Sequence, residues 1–198
     1  AYEQSASGEV PKDPINNFFE VGSNLAYIDG QTPDRSLTLN GGIVSDDLRK
    51  GLTFYAFNRE RQPWDANGDD FSEITQLRNT SFGADAFFKP DDLSKLKLSL
   101  FSIQEFRRGG NDFELEPHQS DITEQLDHNI LGGGLSYERY SRDRRQKFSA
   151  YVSLQHTGRD SYYGGGGRVL QPGDQLTEDD LLALNAYGES TDLALVGG

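Results

Sequence analysis

Apolar and polar residues alternate with a period of two along most of this chain, and the alternation restarts again and again after short interruptions. In the first run Phe19, Val21, Leu25 and Tyr27 oppose Glu20, Gly22, Asn24 and Ala26. The next sets Leu37, Leu39 and Ile43 against Thr38, Asn40 and Gly42, and a third sets Leu52, Phe54 and Ala56 against Thr53 and Tyr55. Phe82, Ala84, Ala86 and Phe88 then alternate with Ser81, Gly83 and Asp85, and Leu96, Leu98 and Leu100 with Lys95, Lys97 and Ser99. Phe101 and Ile103 change the phase, which predicts a β-bulge there. Leu131, Leu135 and Tyr137 form a sixth run, and Phe148, Ala150, Val152 and Leu154 a seventh. With a last strand from about Thr191, the pattern predicts eight strands, because only extended backbone returns every second side chain to one face.

The connections divide into two kinds. Short ones at residues 45–50, 90–94 and 141–146 alternate with long polar ones at 60–72, 107–127 and 159–190. The first connection, residues 29–34, is short but falls on the long-loop side. Short turns on one rim and long loops on the other are the arrangement of bacterial outer-membrane barrels, whose short set is periplasmic. Aromatic residues near strand ends, among them Phe18, Phe19, Phe87, Phe88, Phe106, Tyr137 and Tyr140, suit the interfacial girdles of such barrels. The expected fold is therefore all-β: an antiparallel up-and-down transmembrane barrel segment, about eight strands of a larger barrel, with long outer loops. One short helix is expected over residues 178–185, capped by Thr177 and stopped near Gly188.

Composition adds limits. The 22 glycines, 12 Phe and 9 Tyr against one Trp and no Met favour strands and turns. No stretch is apolar enough for a spanning helix, and a mean hydropathy of -0.69 is compatible with strands that alternate lipid-facing and lumen-facing residues. A net charge of -13 argues against a nucleic-acid partner, which would need clustered Lys and Arg. With no cysteine there is no disulfide, thiolate metal site or cysteine nucleophile. His118, His128 and His156 are scattered outside any metal-ligand spacing, and nothing points to an enzyme. The amino terminus carries no signal-peptide pattern, and Leu193-Ala-Leu-Val-Gly-Gly198 stops as if within a strand, so the chain is expected to be a fragment.

Two segments carry candidate chemistry. Asp65-Ala-Asn-Gly-Asp-Asp70 offers oxygen at alternating positions, so Asp65, Asn67 and Asp69 are candidate calcium ligands. The segment departs from the EF-hand pattern: Gly68 stands fourth instead of sixth, and Gln76 stands where the bidentate Glu belongs. Arg159-Asp-Ser-Tyr-Tyr-Gly-Gly-Gly-Gly-Arg168 mixes cationic, aromatic and flexible residues on the long-loop side. Tyr162 and Tyr163 are candidates to stack on a planar ligand there, with Arg159 or Arg168 pairing with its charge. Its glycine run lacks the strand-to-helix setting and Gly-Lys-Ser/Thr of a phosphate cradle.

Residues 128–164, with Leu131-Gly-Gly-Gly-Leu-Ser-Tyr-Glu-Arg-Tyr140 and Gln155-His-Thr-Gly-Arg-Asp-Ser-Tyr-Tyr-Gly164 within them, resemble the barrel of TonB-dependent receptors, in the branch that takes up cobalamin or ferric siderophores, and Tyr187-Gly-Glu-Ser-Thr-Asp-Leu-Ala-Leu-Val-Gly-Gly198 is similar to the strand that follows in such proteins. The hairpins from about Asn16 agree in pattern and are less specific. The resemblance implies an outer-membrane barrel of about 22 strands around an N-terminal plug. Plug and closing strands lie outside this chain. It further implies a small nutrient ligand held by outer loops and plug, energy passed through the TonB complex to the plug, outer-membrane lipid around the wall, and calcium in an outer loop as in related cobalamin receptors. Two other readings fit the alternation. One is a small eight-stranded outer-membrane barrel with an adhesive or structural role, and the other a soluble ligand-binding barrel.

Overall fold

The computed structural model describes residues 13–165, 175, 177, 178 and 186–198. Eight strands follow one another: β1 (Phe18–Ile28), β2 (Thr32–Val44), β3 (Lys50–Arg61), β4 (Gln76–Phe88), β5 (Ser94–Gly110), β6 (Thr123–Tyr140), β7 (Lys147–Gly164) and β8 (Ala186–Gly197). They form one antiparallel sheet in sequence order. All eight predicted strands are present, and the fold is an all-β, up-and-down, barrel-like segment. The sheet does not close: among the described residues β1 pairs with β2 alone and β8 with β7 alone. That is not the closed ring a self-contained eight-stranded barrel needs. Of the helix expected over residues 178–185 only Glu178 is described, and a 3-10 turn at Pro117–Gln119, not foreseen, interrupts the loop before β6. No described helix is long and apolar enough to cross a membrane.

Turn chemistry sets the registers. Asp29 and Gly30 both take positive φ (49° and 70°), and Gln31 N–H donates to the Ile28 carbonyl at 3.0 Å, the tight Asp-Gly hairpin that matches strand twist. The turns at residues 45–50 and 141–146 are built alike. Ser45 and Ser141 accept from the amides of Lys50 and Gln146, and Asp47 and Asp143 accept from the serine hydroxyls and from the amides of Arg49 and Arg145. Each places a left-handed residue fourth, Leu48 at φ 56° and Arg144 at φ 55°. A Cβ in that conformation costs about 1 kcal/mol, so Leu48→Gly is expected to raise unfolding stability by up to that amount; chemical denaturation of the folded protein measures it.

The expected bulge at Phe101 is not formed. Pairing runs without a slip from Gln76↔Arg108 to Phe88↔Leu96 on one side of β5 and from Ser94↔Arg139 to Gly110↔Thr123 on the other. What changes at Phe101 is the chemistry of the faces. Phe101 sits on the polar face and lies over Gly132, where a Cβ would come within 2.5 Å of its ring. Phe18 covers Gly42, Phe87 covers Gly51 and Tyr55 covers Gly83 in the same way. Aromatic rings over cross-strand glycines repair weak strand positions and pin the register.

Following the registers strand to strand, every apolar set from the sequence falls on one face of the sheet. Val21, Leu39, Ala56 and Phe82 form one cross-strand row, and Phe54, Ala84, Leu100 and Leu154 belong to the next. That face is not a core. Phe19 is 66% exposed, Leu131 62% and Leu195 71%, and the only buried hydrophobic residues described are Leu77, Phe87 and Tyr162.

Candidate functional site

The lower margin of the apolar face is oblique to the strands. It runs through Phe19, Ile43, Leu52, Phe88, Leu96, Tyr137 and Phe148 toward the short-turn rim. The β7 residue in register with Phe19 is Leu154, and Phe148 lies six residues below it. At ~3.3 Å per residue and ~4.8 Å between strands, this stagger over six strand steps corresponds to a slope of roughly 35°. Strands of membrane barrels tilt by ~35–45°, so a band level with a bilayer must cross them obliquely by about this angle. Above the band the alternation fades: β5, β6 and β7, 17, 18 and 18 residues long in all, run on toward the long loops.

The opposite face carries a polar belt near the long-loop rim. Arg59, Asn79, Glu105, His128 and Arg159 lie in one cross-strand row over β3 to β7. Arg59 grips Asp34 through Nε at 2.9 Å and Nη2 at 2.6 Å. Asn79 donates to Glu105 at 2.9 Å, and Arg107 pairs with Glu105 at 2.8 Å. The glutamate is thus held between a neutral and a cationic donor, while Arg159 at the end of the row is exposed.

Of the four proposed ligand-gripping residues, Arg159 and Tyr163 share this polar face, and Tyr163 is 58% exposed. Tyr162 is on the other face because neighbours in a strand point oppositely. It is buried, 4.9 Å from the Tyr187 ring, in a row with Gln125 and Arg108. Arg168 lies outside the described residues.

Arg108 is a loop anchor that alternation could not reveal. It is buried, and its guanidinium donates to the carbonyls of Asp112 and Leu115 at 3.3 and 2.9 Å and to the Ser120 hydroxyl at 3.1 Å. Asn111 donates to Asp121 and accepts from the Ile122 amide. Together they tie down the loop at residues 111–122 beside Tyr162. The signal in the sequence was Gly109-Gly110-Asn111, a turn cluster that closes the strand just before this anchor.

In the loop between β3 and β4, a bridge between Trp64 and Ile74 folds the segment back on itself. Carboxylate oxygens of Asp65, Asp69 and Glu73 thereby lie within 4.8 Å of one another. Asn67 lies beside the group: its side-chain carbonyl accepts from the Asp69 amide and its NH₂ donates to the Asp69 carboxylate. Glu73, eight residues beyond Asp65, adds a carboxylate that spacing did not suggest and accepts from the Ala66 amide at 2.6 Å. The amides of Gly68, Asp70 and Asn67 donate to Asp65, and these contacts, Gly68 foremost, hold its carboxyl below the usual carboxylate range. A lowered folded-state value means that this cap contributes at neutral pH and is lost as pH falls through that value. Three converging carboxylates are hard oxygen donors suited to calcium, which would complete its shell with carbonyls and water.

No protein-family model, curated protein or solved structure matches the chain.

Proposed function

We propose that the chain is a stretch of outer-membrane barrel wall, with its apolar face to lipid and its polar face to a lumen. The observation that carries this reading is the exposed apolar band lying oblique to the strands at roughly the tilt of a membrane barrel. In water such a face would need a covering layer, since a sheet is stable only when its apolar side is buried. In lipid it needs none. The edges of β1 and β8, without partners among the described residues, call for further strands of the same barrel, because open edges leave backbone groups without partners in hydrocarbon. That favours a larger barrel over a small adhesive or structural one, and the uncovered face disfavours a soluble ligand-binding barrel.

Within that wall, the reading we favour is a TonB-coupled receptor importing a scarce, bulky nutrient, cobalamin or a ferric siderophore. It rests on the resemblance of residues 128–164 and 187–198, with sorted turns and loops in support. The polar belt ending at Arg159, with Tyr163 above it, is the wall's candidate contact with an anionic or planar ligand. The test is uptake by cells lacking the gene, with labelled cobalamin and labelled ferric siderophores as probes. Loss of energy-dependent uptake of one of them supports the reading, and unchanged uptake of all contradicts it.

Calcium in the outer loop is a separate part of the proposal. Calorimetry on the intact receptor is expected to register calcium binding that Asp69→Asn with Glu73→Gln abolishes, while Asn67→Ala leaves it within about twofold. No calcium uptake by the unaltered receptor would remove the idea.

A further inference from the structure

Charge is unevenly placed between the rims, and one turn on the short-turn rim departs from its structural twin. The turns at residues 45–50 and 141–146 share the same serine and aspartate network. Yet the positions held by Asp46 and Leu48 in the first are Arg142 and Arg144 in the second. The fold of the turn does not demand these arginines, because the other copy forms without them. Asp143, the acid nearest to them, has its carboxylate engaged by the Ser141 hydroxyl and the Arg145 amide. Arg145 reaches it only at 4.0 Å and has a side chain 87% exposed. No ion pair to Arg142 or Arg144 is present among the described residues, and both are exposed.

The surroundings of this cationic turn are amphipathic. Phe148, 61% exposed, ends the apolar band next to it and stacks obliquely on Tyr137 at 6.4 Å. Arg139, opposite Phe148 in the register, shares a hydrogen bond with the Tyr137 phenol. Exposed guanidiniums just beyond an aromatic margin match a molecule with an acyl chain and an anionic head.

We propose that the turn at residues 141–146, with Arg139, Tyr137 and Phe148, is a docking surface for an anionic phospholipid of the leaflet at the short-turn rim. The phosphodiester pairs with Arg142, Arg144 and Arg145, and the acyl chains lie on Phe148 and the band above it. This rests on the membrane reading, and it adds a lipid preference which that reading does not require.

The test uses the full-length receptor in phosphatidylcholine bilayers with trace spin-labelled phosphatidylglycerol or phosphatidylcholine. The probe read is the motionally restricted lipid fraction. Phosphatidylglycerol is expected to be favoured at this site by about fivefold or more at low salt, with the preference falling as salt rises. In Arg142→Gln, Arg144→Gln, Arg145→Gln combined, that preference is expected to drop to near parity, while heat-modifiable migration in gels reports an intact barrel. Equal association of the two lipids with an inserted, unaltered receptor overturns the docking surface and leaves the wall standing. So does a preference that survives the triple substitution. Failure of the receptor to insert at all sinks both readings.

Discussion

If the apolar face meets lipid as proposed, Leu154→Arg is expected to destabilise the folded protein by about 2–4 kcal/mol in bilayers, whereas Gln155→Arg, one residue on, costs about 0–1 kcal/mol. The two positions are neighbours in β7 and point to opposite faces. Leu154 is 49% exposed and pairs with Gly133 and Leu195 on the apolar face, in the same cross-strand row as Leu100. A guanidinium there has no ionic partner and, on the proposed membrane reading, would enter hydrocarbon, where transfer of a charge is costly at depth and cheap near an interface. Gln155 lies opposite Gly132 and Ala194 on the face that carries Lys97, Asp85 and Glu105, so a charge meets polar neighbours. Denaturant unfolding of the vesicle-inserted protein gives both numbers. Equal costs at the two positions would contradict the assignment of faces. A soluble protein would show the same order only if some layer covered the apolar side, and none is present among the described residues.

The second large effect is at the outer rim. Gly110→Ala is expected to cost about 3 kcal/mol or more and to expose the loop at residues 111–122 to proteolysis. Gly110 has φ 115°, a conformation closed to side chains, and an added Cβ would meet the Ile122 carbonyl oxygen at 2.0 Å. The obstruction is backbone, so no rotamer change relieves it. Gly110 is also the junction of two loops: its carbonyl accepts from the Ser72 amide at 2.9 Å, its amide donates to the Ser72 hydroxyl at 3.2 Å, and Asn111 N–H donates to Ile122 at 3.2 Å. Shifting it disturbs both the carboxylate loop and the Arg108 anchor. Limited proteolysis with thermal unfolding distinguishes the outcomes: a variant as resistant and as stable as the parent would contradict this account of the rim.

Strand identity was legible because two independent signals coincided. The period of two placed Phe148, Ala150, Val152 and Leu154 on one face, and the short polar connections at residues 45–50, 90–94 and 141–146 separated the strands. Strand length was less legible. β5 to β7 extend well past the alternating runs, because above Leu100, Leu131 and Leu154 apolar residues such as Ile103, Phe106 and Ile130 fall on both faces among polar ones and the period disappears. Pairing alone sustains those extensions. The phase change at Phe101 was misread as a bulge because a ring over a glycine on the polar face looks, in one dimension, like a slipped strand. The site was legible only in pieces. Arg159 and Tyr163 share the polar face, whereas Tyr162 is turned away by strand alternation. Glu73 joins Asp65 and Asp69 because the Trp64–Ile74 bridge brings together residues that spacing keeps apart.

The central claim is that the apolar face meets lipid and the polar face does not. The chain has no cysteine, so single cysteines can be placed without background. The direct measurement is quenching by brominated lipid of a fluorophore attached in turn at Val152, Ser153, Leu154 and Gln155 of the vesicle-inserted full-length protein. Strong quenching at Val152 and Leu154 with little at Ser153 and Gln155 is the predicted result; quenching that is equal at all four, or strongest at Ser153 and Gln155, would contradict it.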